Sequence, residues 1–135
     1  MKILEVILEK EDGEIYGRVK APGFLYITAG ETAEQITINL KALIADYLTH
    51  EGKSSPEWAG ITIDDIAFEY TYDLTAFFDL FNELKMGPLA QRAGINESLM
   101  RQYASGSKHP SAQQVKKIEQ AVQHLGQTLQ GISFA

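Results

Sequence analysis

The 135-residue chain contains no cysteine. That absence excludes disulfides, thiolate zinc sites and cysteine nucleophiles together, and it fits a reducing cytoplasm. No window approaches the roughly 18 or more consecutive apolar residues of a membrane span. The amino-terminal MKILEVILEKEDGEIYG alternates apolar and charged residues, where a secretory signal needs an unbroken apolar run after a basic start. A cytoplasmic protein with no membrane partner is therefore expected. His50, His109 and His124 lie in separate segments, and no pair has the close helical spacing of a metal site, so neither metal nor cofactor is expected. Positive charge is also scarce, with 12 Lys+Arg against 18 Asp+Glu and a net of -6.

What is present is unevenly spread. Residues 1 to 78 carry 14 Asp+Glu against 6 Lys+Arg, a net of -8, while residues 79 to 135 carry 4 against 6, a net of +2. Two halves with different partners are implied. At 44% hydrophobic and 22% charged the chain has an ordinary globular composition. Its length suits one domain or two small ones, and small domains bury little of their surface, so oligomerisation is expected.

KILEVILEK, residues 2 to 10, places Leu4, Val6 and Leu8 on one strand face. After Glu11-Asp12-Gly13, GEIYGRVKA alternates again, which predicts an antiparallel hairpin. Ala21-Pro22-Gly23 breaks the chain before a third strand, FLYIT. Thr32 and Gln35 form a T-x-x-Q capping box for a helix whose apolar stripe is Ala33, Ile36, Leu40, Leu43, Ile44 and Tyr47. His50 to Gly60 reads as an exposed loop anchored by Trp58, and IAFEYTY, residues 66 to 72, as a fourth strand. The expected fold class is α+β: a β-β-β-α-β unit over residues 1–72 with an antiparallel sheet, then an all-α unit over 73–135.

From Asp73 the apolar period becomes 3.6, with Leu74, Phe77, Phe78, Phe81 and Leu84 on one stripe and Asp73 placed to cap it. Pro88 at a first helical position, Gly94 as a stop, Asn96 as an N-cap and Ser111 with Gln114 as a capping box divide the rest, giving four helices after residue 72. The last, about residues 112 to 129, carries Val115, Ile118, Val122, Leu125 and Leu129, nearly an a/d seam.

PLAQRAGINESLMRQYASG, residues 88 to 106, has a helix-turn-helix pattern. Gly94 permits the left-handed turn, Ala90 is small where helices cross, and Leu89, Ala93, Ile95, Met100 and Tyr103 fill the angle. Glu97, Ser98, Arg101 and Gln102 are then left outward near the amino-terminal end of the second helix, the end that enters the major groove in this motif. Their chemistry suits base edges: Arg101 for guanine, Gln102 for adenine, Glu97 for the cytosine amino group, and Ser98 permissively. Ser105, Ser107, Lys108 and His109, with Gln91 on the preceding helix, suit phosphates. The bland alternative is a solvated helix pair of a docking module. Because the charge is modest, useful affinity calls for a homodimer, or higher oligomer, on a palindromic double-stranded operator.

Over about residues 74 to 130, with MRQYASGSKHPSAQQVKKIEQAVQHLG as its core, the chain resembles helix-turn-helix domains of the phage-repressor and Xre type. EIYGRVKAPGFLYITAGETAEQITINLKALIADYL is similar to the HicB antitoxin domain, a partial RNase-H-like β-β-β-α-β fold, through Pro22-Gly23, Gly30-Glu31-Thr32 and the helical stripe. The resemblance implies an antitoxin that binds and neutralises a small basic HicA-type mRNA-cleaving toxin and represses its own operon. Family members often carry an acidic residue before the Pro-Gly and a Cys after it, where this chain has Val19-Lys20-Ala21 and Phe24. The alternative is a stand-alone dimeric transcriptional regulator. An RNase-H-like metal nuclease is not expected, since Glu5 and Glu9 share a strand face without a third carboxylate and Asp64-Asp65 sits in a turn. Trp58, Tyr70 and Tyr72 are read as packing residues in preference to a base-stacking platform.

Overall fold

The computed structural model describes residues 1–135, which fold as two compact units, Met1–Leu80 and Phe81–Ala135. In the first, β1 (Lys2–Glu11), β2 (Glu14–Ala21), β3 (Phe24–Ala29) and β4 (Ile66–Tyr72) form one sheet in the order β3-β2-β1-β4. The β1–β2 hairpin closes through Asp12 at φ 51° and Gly13 at φ 79°. Two consecutive left-handed residues give the tight turn whose twist matches paired strands. Pairings β1–β2 and β2–β3 are antiparallel, but β4 runs parallel to β1 with Lys2 opposite Ile66 and Leu8 opposite Tyr72. The sheet is thus mixed, not antiparallel as expected. A hairpin reverses the chain, whereas a helical crossover returns it, so the strand after the helix runs with β1.

That crossover is α1 (Ala33–Thr49). Thr32 caps it, its hydroxyl accepting from the Gln35 N–H at 3.0 Å. The return half of the expected box is absent, because the Gln35 carboxamide donates to Asn39 Oδ1 instead. Ile36, Leu40, Ile44, Tyr47 and Leu48 are buried, each large aliphatic stabilising the fold by about 1.5–3 kcal/mol relative to exposure. Leu43, expected in the stripe, is exposed, and Leu48 takes the place. The helix rests on Val6, Leu8, Ile15 and Val19 from one sheet face.

The loop after α1 holds two short 3-10 turns, Glu51–Ser54 and Ile63–Asp65. Between them Trp58 is 2% exposed and donates its indole N–H to the Pro22 carbonyl at 2.6 Å. The loop is therefore tied to the core beside Phe24 and Tyr47. Asp65 accepts from the Thr62 N–H at 2.9 Å and hydroxyl at 3.2 Å, which holds its carboxyl below the usual range.

Helix α2 (Leu74–Leu80) also belongs to the first unit, since Ala76 is fully buried in that unit's core. The division falls after Leu80, not after residue 72, because the small Ala76 lets the helix seat on the sheet unit. The charge split sharpens accordingly: residues 1–80 carry 15 Asp+Glu against 6 Lys+Arg, net -9, and residues 81–135 carry 3 against 6, net +3.

The second unit comprises α3 (Met86–Ala93), α4 (Glu97–Ser105) and α5 (Ala112–Gln130). Pro88 is the third residue of α3, not the first. It is tolerated there because first-turn N–H groups lack intrahelical partners. Gly94, left-handed at φ 70°, closes α3, with the Ile95 N–H donating to the Ala90 carbonyl at 3.0 Å. This closure turns the chain sharply into α4. Leu89, Ala90, Ala93, Ile95, Met100, Tyr103, Ile118 and Ala121 are buried. Of the expected α5 seam, only Ile118 is fully enclosed within the chain. Val115, in the first turn of α5, is 39% exposed, and Leu129, in the last, is 55% exposed.

Candidate nucleic-acid interface

Helix α4 is set by its two ends. Asn96 Oδ1 accepts from the N–H groups of Ser98 at 2.9 Å and Leu99 at 3.3 Å. Gly106, left-handed at φ 82°, ends the helix, its N–H donating to the Tyr103 carbonyl. Met100 and Tyr103 turn inward and Glu97, Ser98 and Arg101 outward, while Gln102 is half-buried. This is the sorting that helical periodicity imposes on ESLMRQYAS.

The outward residues are not independent. Glu97 Oε2 accepts from Arg101 Nη2 at 2.7 Å and from Nε at 3.1 Å. Its other oxygen lies over Gly87, where a side-chain Cβ would come within 2.6 Å of Glu97 Oε1. A bare glycine in the first turn of α3 therefore leaves room for the carboxylate. Glu97, expected to read a base, is in this structure the partner of Arg101. Arg101 Nη1 takes no part in this pair, so the guanidinium retains donors for a further acceptor. Both side chains are more than half exposed, so the pair is worth only about 0.3–0.5 kcal/mol and yields readily to a stronger acceptor. The i,i+4 spacing of Glu97 and Arg101 is the signal in the sequence that identifies the pair.

Past the helix, Ser105 Oγ lies 3.1 Å from the Gln102 carbonyl and 3.1 Å from Ser107 Oγ, and Ser107 Oγ is 3.4 Å from the same carbonyl. The Lys108 N–H also donates to it at 3.3 Å. The two serines expected to meet phosphates thus cap the carboxy-terminal turn of α4. Lys108 and His109 are exposed, and the Lys108 ammonium has no ion pair. Gln91 is exposed on α3 and is not hydrogen-bonded to the α4 residues. The structure therefore brings Glu97 to Arg101 and the two serines to Gln102, and leaves Ser98, Gln91, Lys108 and His109 open to solvent.

In the first unit several carboxylates are engaged: Glu5 accepts from Thr71 at 2.7 Å, Glu9 pairs with Arg18 at 3.0 Å, and Asp79 lies 3.5 Å from Lys10. Trp58, Tyr70 and Tyr72 form no common platform. Trp58 is in the core, Tyr70 lies 2.6 Å from the Thr37 hydroxyl, and Tyr72 packs edge-on to Phe77. Burial pushes the Tyr72 phenol above its usual range. Comparison of the chain with family models, curated proteins and solved structures finds no match.

Proposed function

We propose that the chain is a DNA-binding regulator of HicB-like antitoxin type, in which a partial RNase-H-like first unit binds a partner and a helix-turn-helix second unit binds an operator. The observation that carries the DNA reading is the separation on α4 of a buried set, Met100 and Tyr103, from an outward set led by Ser98 and Arg101 at the helix's amino-terminal end. A recognition helix needs that sorting, since the inner set fixes its angle and the outer set meets base edges. Arg101 is the principal base reader, Ser98 and Gln102 are secondary, and Glu97 positions Arg101. Lys108, His109 and Gln91 meet phosphates. The net of +3 on residues 81–135 favours DNA weakly, so binding relies on two copies sharing a palindrome. Val122 and Leu125 with the exposed Leu129 continue the α5 seam and suit pairing with a second copy.

The partner reading draws on the first unit, whose net of -9 complements a small basic RNA-binding protein and steers it into contact. No catalytic or cofactor role is assigned to the chain. Selection from random duplexes tests the DNA reading: an enriched inverted repeat, with half-site centres about one helical turn or a multiple apart, is expected. No enrichment rejects it. Purification together with the product of the adjacent reading frame tests the antitoxin reading. Stoichiometric capture of a small basic protein supports it, and its absence leaves the stand-alone regulator.

A further inference from the structure

The left-handed backbones of Gly94 and Gly106 call for glycine. Gly87 has no such cause. It lies inside α3 with φ in the ordinary range, where the backbone accepts alanine and alanine favours the helix. What a side chain there would meet is a single residue of the next helix. The three atoms nearest to an added Cβ are Glu97 Oε1 at 2.6 Å, Cδ at 3.3 Å and Oε2 at 3.8 Å. The carboxylate that fills this space is the one that holds Arg101. Oε2 accepts from Nε at 3.1 Å and from Nη2 at 2.7 Å, so the side of the guanidinium that carries Nε is taken up by Glu97. The donors left are both hydrogens of Nη1 and the second hydrogen of Nη2. They make up the end of the fork, whose spacing matches O6 and N7 of guanine. The side taken up is the one through which an arginine can also grip a phosphate, and the charge of Glu97 repels a phosphate that competes for Arg101.

We infer that Gly87 is a specificity-determining position: it leaves the room in which Glu97 holds Arg101 end-on to a guanine, and a side chain at 87 broadens base choice without unfolding the helix pair. The inference rests on the DNA reading of α4. It adds which edge of Arg101 meets the operator and what keeps that edge presented. An i,i+4 pair as exposed as this one gains little by forming, so it depends on unobstructed space. Alanine at 87 obstructs it. Oε1 has to retreat by roughly 1 Å to reach an ordinary contact distance, and the rest of the rigid carboxylate moves with it. Because the atoms that give way are the far end of a flexible, exposed side chain, the retreat costs the fold little. It costs the grip on Nε and Nη2 its geometry. Gly87 itself is a positioning residue, acting on Arg101 only through Glu97.

Wild type, Gly87→Ala, Glu97→Ala and the double variant, each in the full chain, separate this role from a structural one. Gly87→Ala should melt no lower than wild type by circular dichroism, since alanine is the better helix former. In the protein without DNA, solvent exchange of the Arg101 Nε–H followed by NMR should speed up by about twofold in Gly87→Ala, the factor that a pair of this strength confers, and equally in Glu97→Ala. On the selected operator, Gly87→Ala should lower discrimination at the base pair that depends on Arg101 by several fold, a part of the roughly ten- to hundredfold that one bidentate contact supplies. In the Glu97→Ala background it should lower it no further. A lower melt, unchanged exchange, or an added loss in the double variant overturns the inference. Faster exchange with unchanged discrimination also overturns it and leaves the DNA reading standing. Failure of any duplex to be enriched removes the DNA reading and the specificity role with it, whatever the exchange shows.

Discussion

Replacing Gly17 with alanine should force the sheet and its helix apart at one point. Gly17 lies opposite Leu8, on the face that carries α1. A Cβ placed there would overlap Ile36 Cγ2 and stand 3.2 Å from Leu8 Cδ2 and 3.6 Å from Val6 Cγ1. All three neighbours are 0% exposed, so none has solvent to turn into. Overpacking of this kind costs about 1–3 kcal/mol, offset by about 0.4–1 kcal/mol from the stiffer unfolded chain, leaving a net loss of roughly 0.5–2 kcal/mol. Ile36→Ala alone should cost about 2–5 kcal/mol through the cavity it leaves. In the double variant the new methyl occupies space vacated by Ile36, so the combined loss should fall short of the sum by about 1–2 kcal/mol. Denaturant unfolding followed by the fluorescence of Trp58 gives the comparison cleanly, because it is the only tryptophan and is buried in the first unit. A neutral Gly17→Ala, or strict additivity, would refute the close approach of α1 to β2.

Asn96→Ala should lower the thermal stability of the second unit by about 0.5–2 kcal/mol, because two N–H groups lose their acceptor; helical circular dichroism measures it, and an unchanged melt removes the cap. Asp65 has a depressed folded-state pKa from its Thr62 bonds, so its contribution is present above the usual carboxylate range and fades as pH falls through the lowered value. A carboxyl NMR titration should show Asp65 titrating below its ordinary value in the wild type and closer to it in Thr62→Val, where the hydroxyl bond is lost; identical curves would contradict the turn geometry. Glu97→Ala should cost helix α4 only about 0.3–0.5 kcal/mol, yet reduce the ratio of operator to random-duplex affinity, because Arg101 loses its orienting partner. An unchanged ratio by fluorescence anisotropy would leave Glu97 without a positioning role.

Local chemistry made much of the fold legible in the sequence. Asp12-Gly13, Thr32, Gly94, Asn96 and Ser111 each mark a turn or cap through their own backbone preference, and each does so in the structure. What escaped depends on relations between distant residues. The parallel placement of β4 is set by where α1 returns the chain, and no property of IAFEYTY distinguishes the two directions. Leu43 and Leu48 are equally apolar, and only the line of α1 across the sheet decides which is covered. Helix α2 has the same 3.6 period as the helices after it, so its membership of the first unit rests on Ala76 packing, which periodicity does not report. In the candidate interface, the outward positions of Glu97, Ser98 and Arg101 follow from helical spacing. The tie of Glu97 to Arg101 follows from their i,i+4 spacing, whereas the ties of Ser105 and Ser107 to Gln102 arise because short polar side chains at a helix end satisfy nearby backbone groups before they meet a ligand.

The central claim is that α4 reads DNA through Arg101 while Lys108 holds the backbone. Binding of wild type, Arg101→Ala and Lys108→Ala to a panel of single-base variants of the selected operator, over a range of salt, tests it most directly. Arg101→Ala should lose about 1–3 kcal/mol on the preferred operator and flatten discrimination at one base position in each half-site. Lys108→Ala should weaken every duplex alike and reduce the salt slope by about one for each copy bound. Parallel losses for the two variants across all duplexes, with discrimination intact in both, would contradict it.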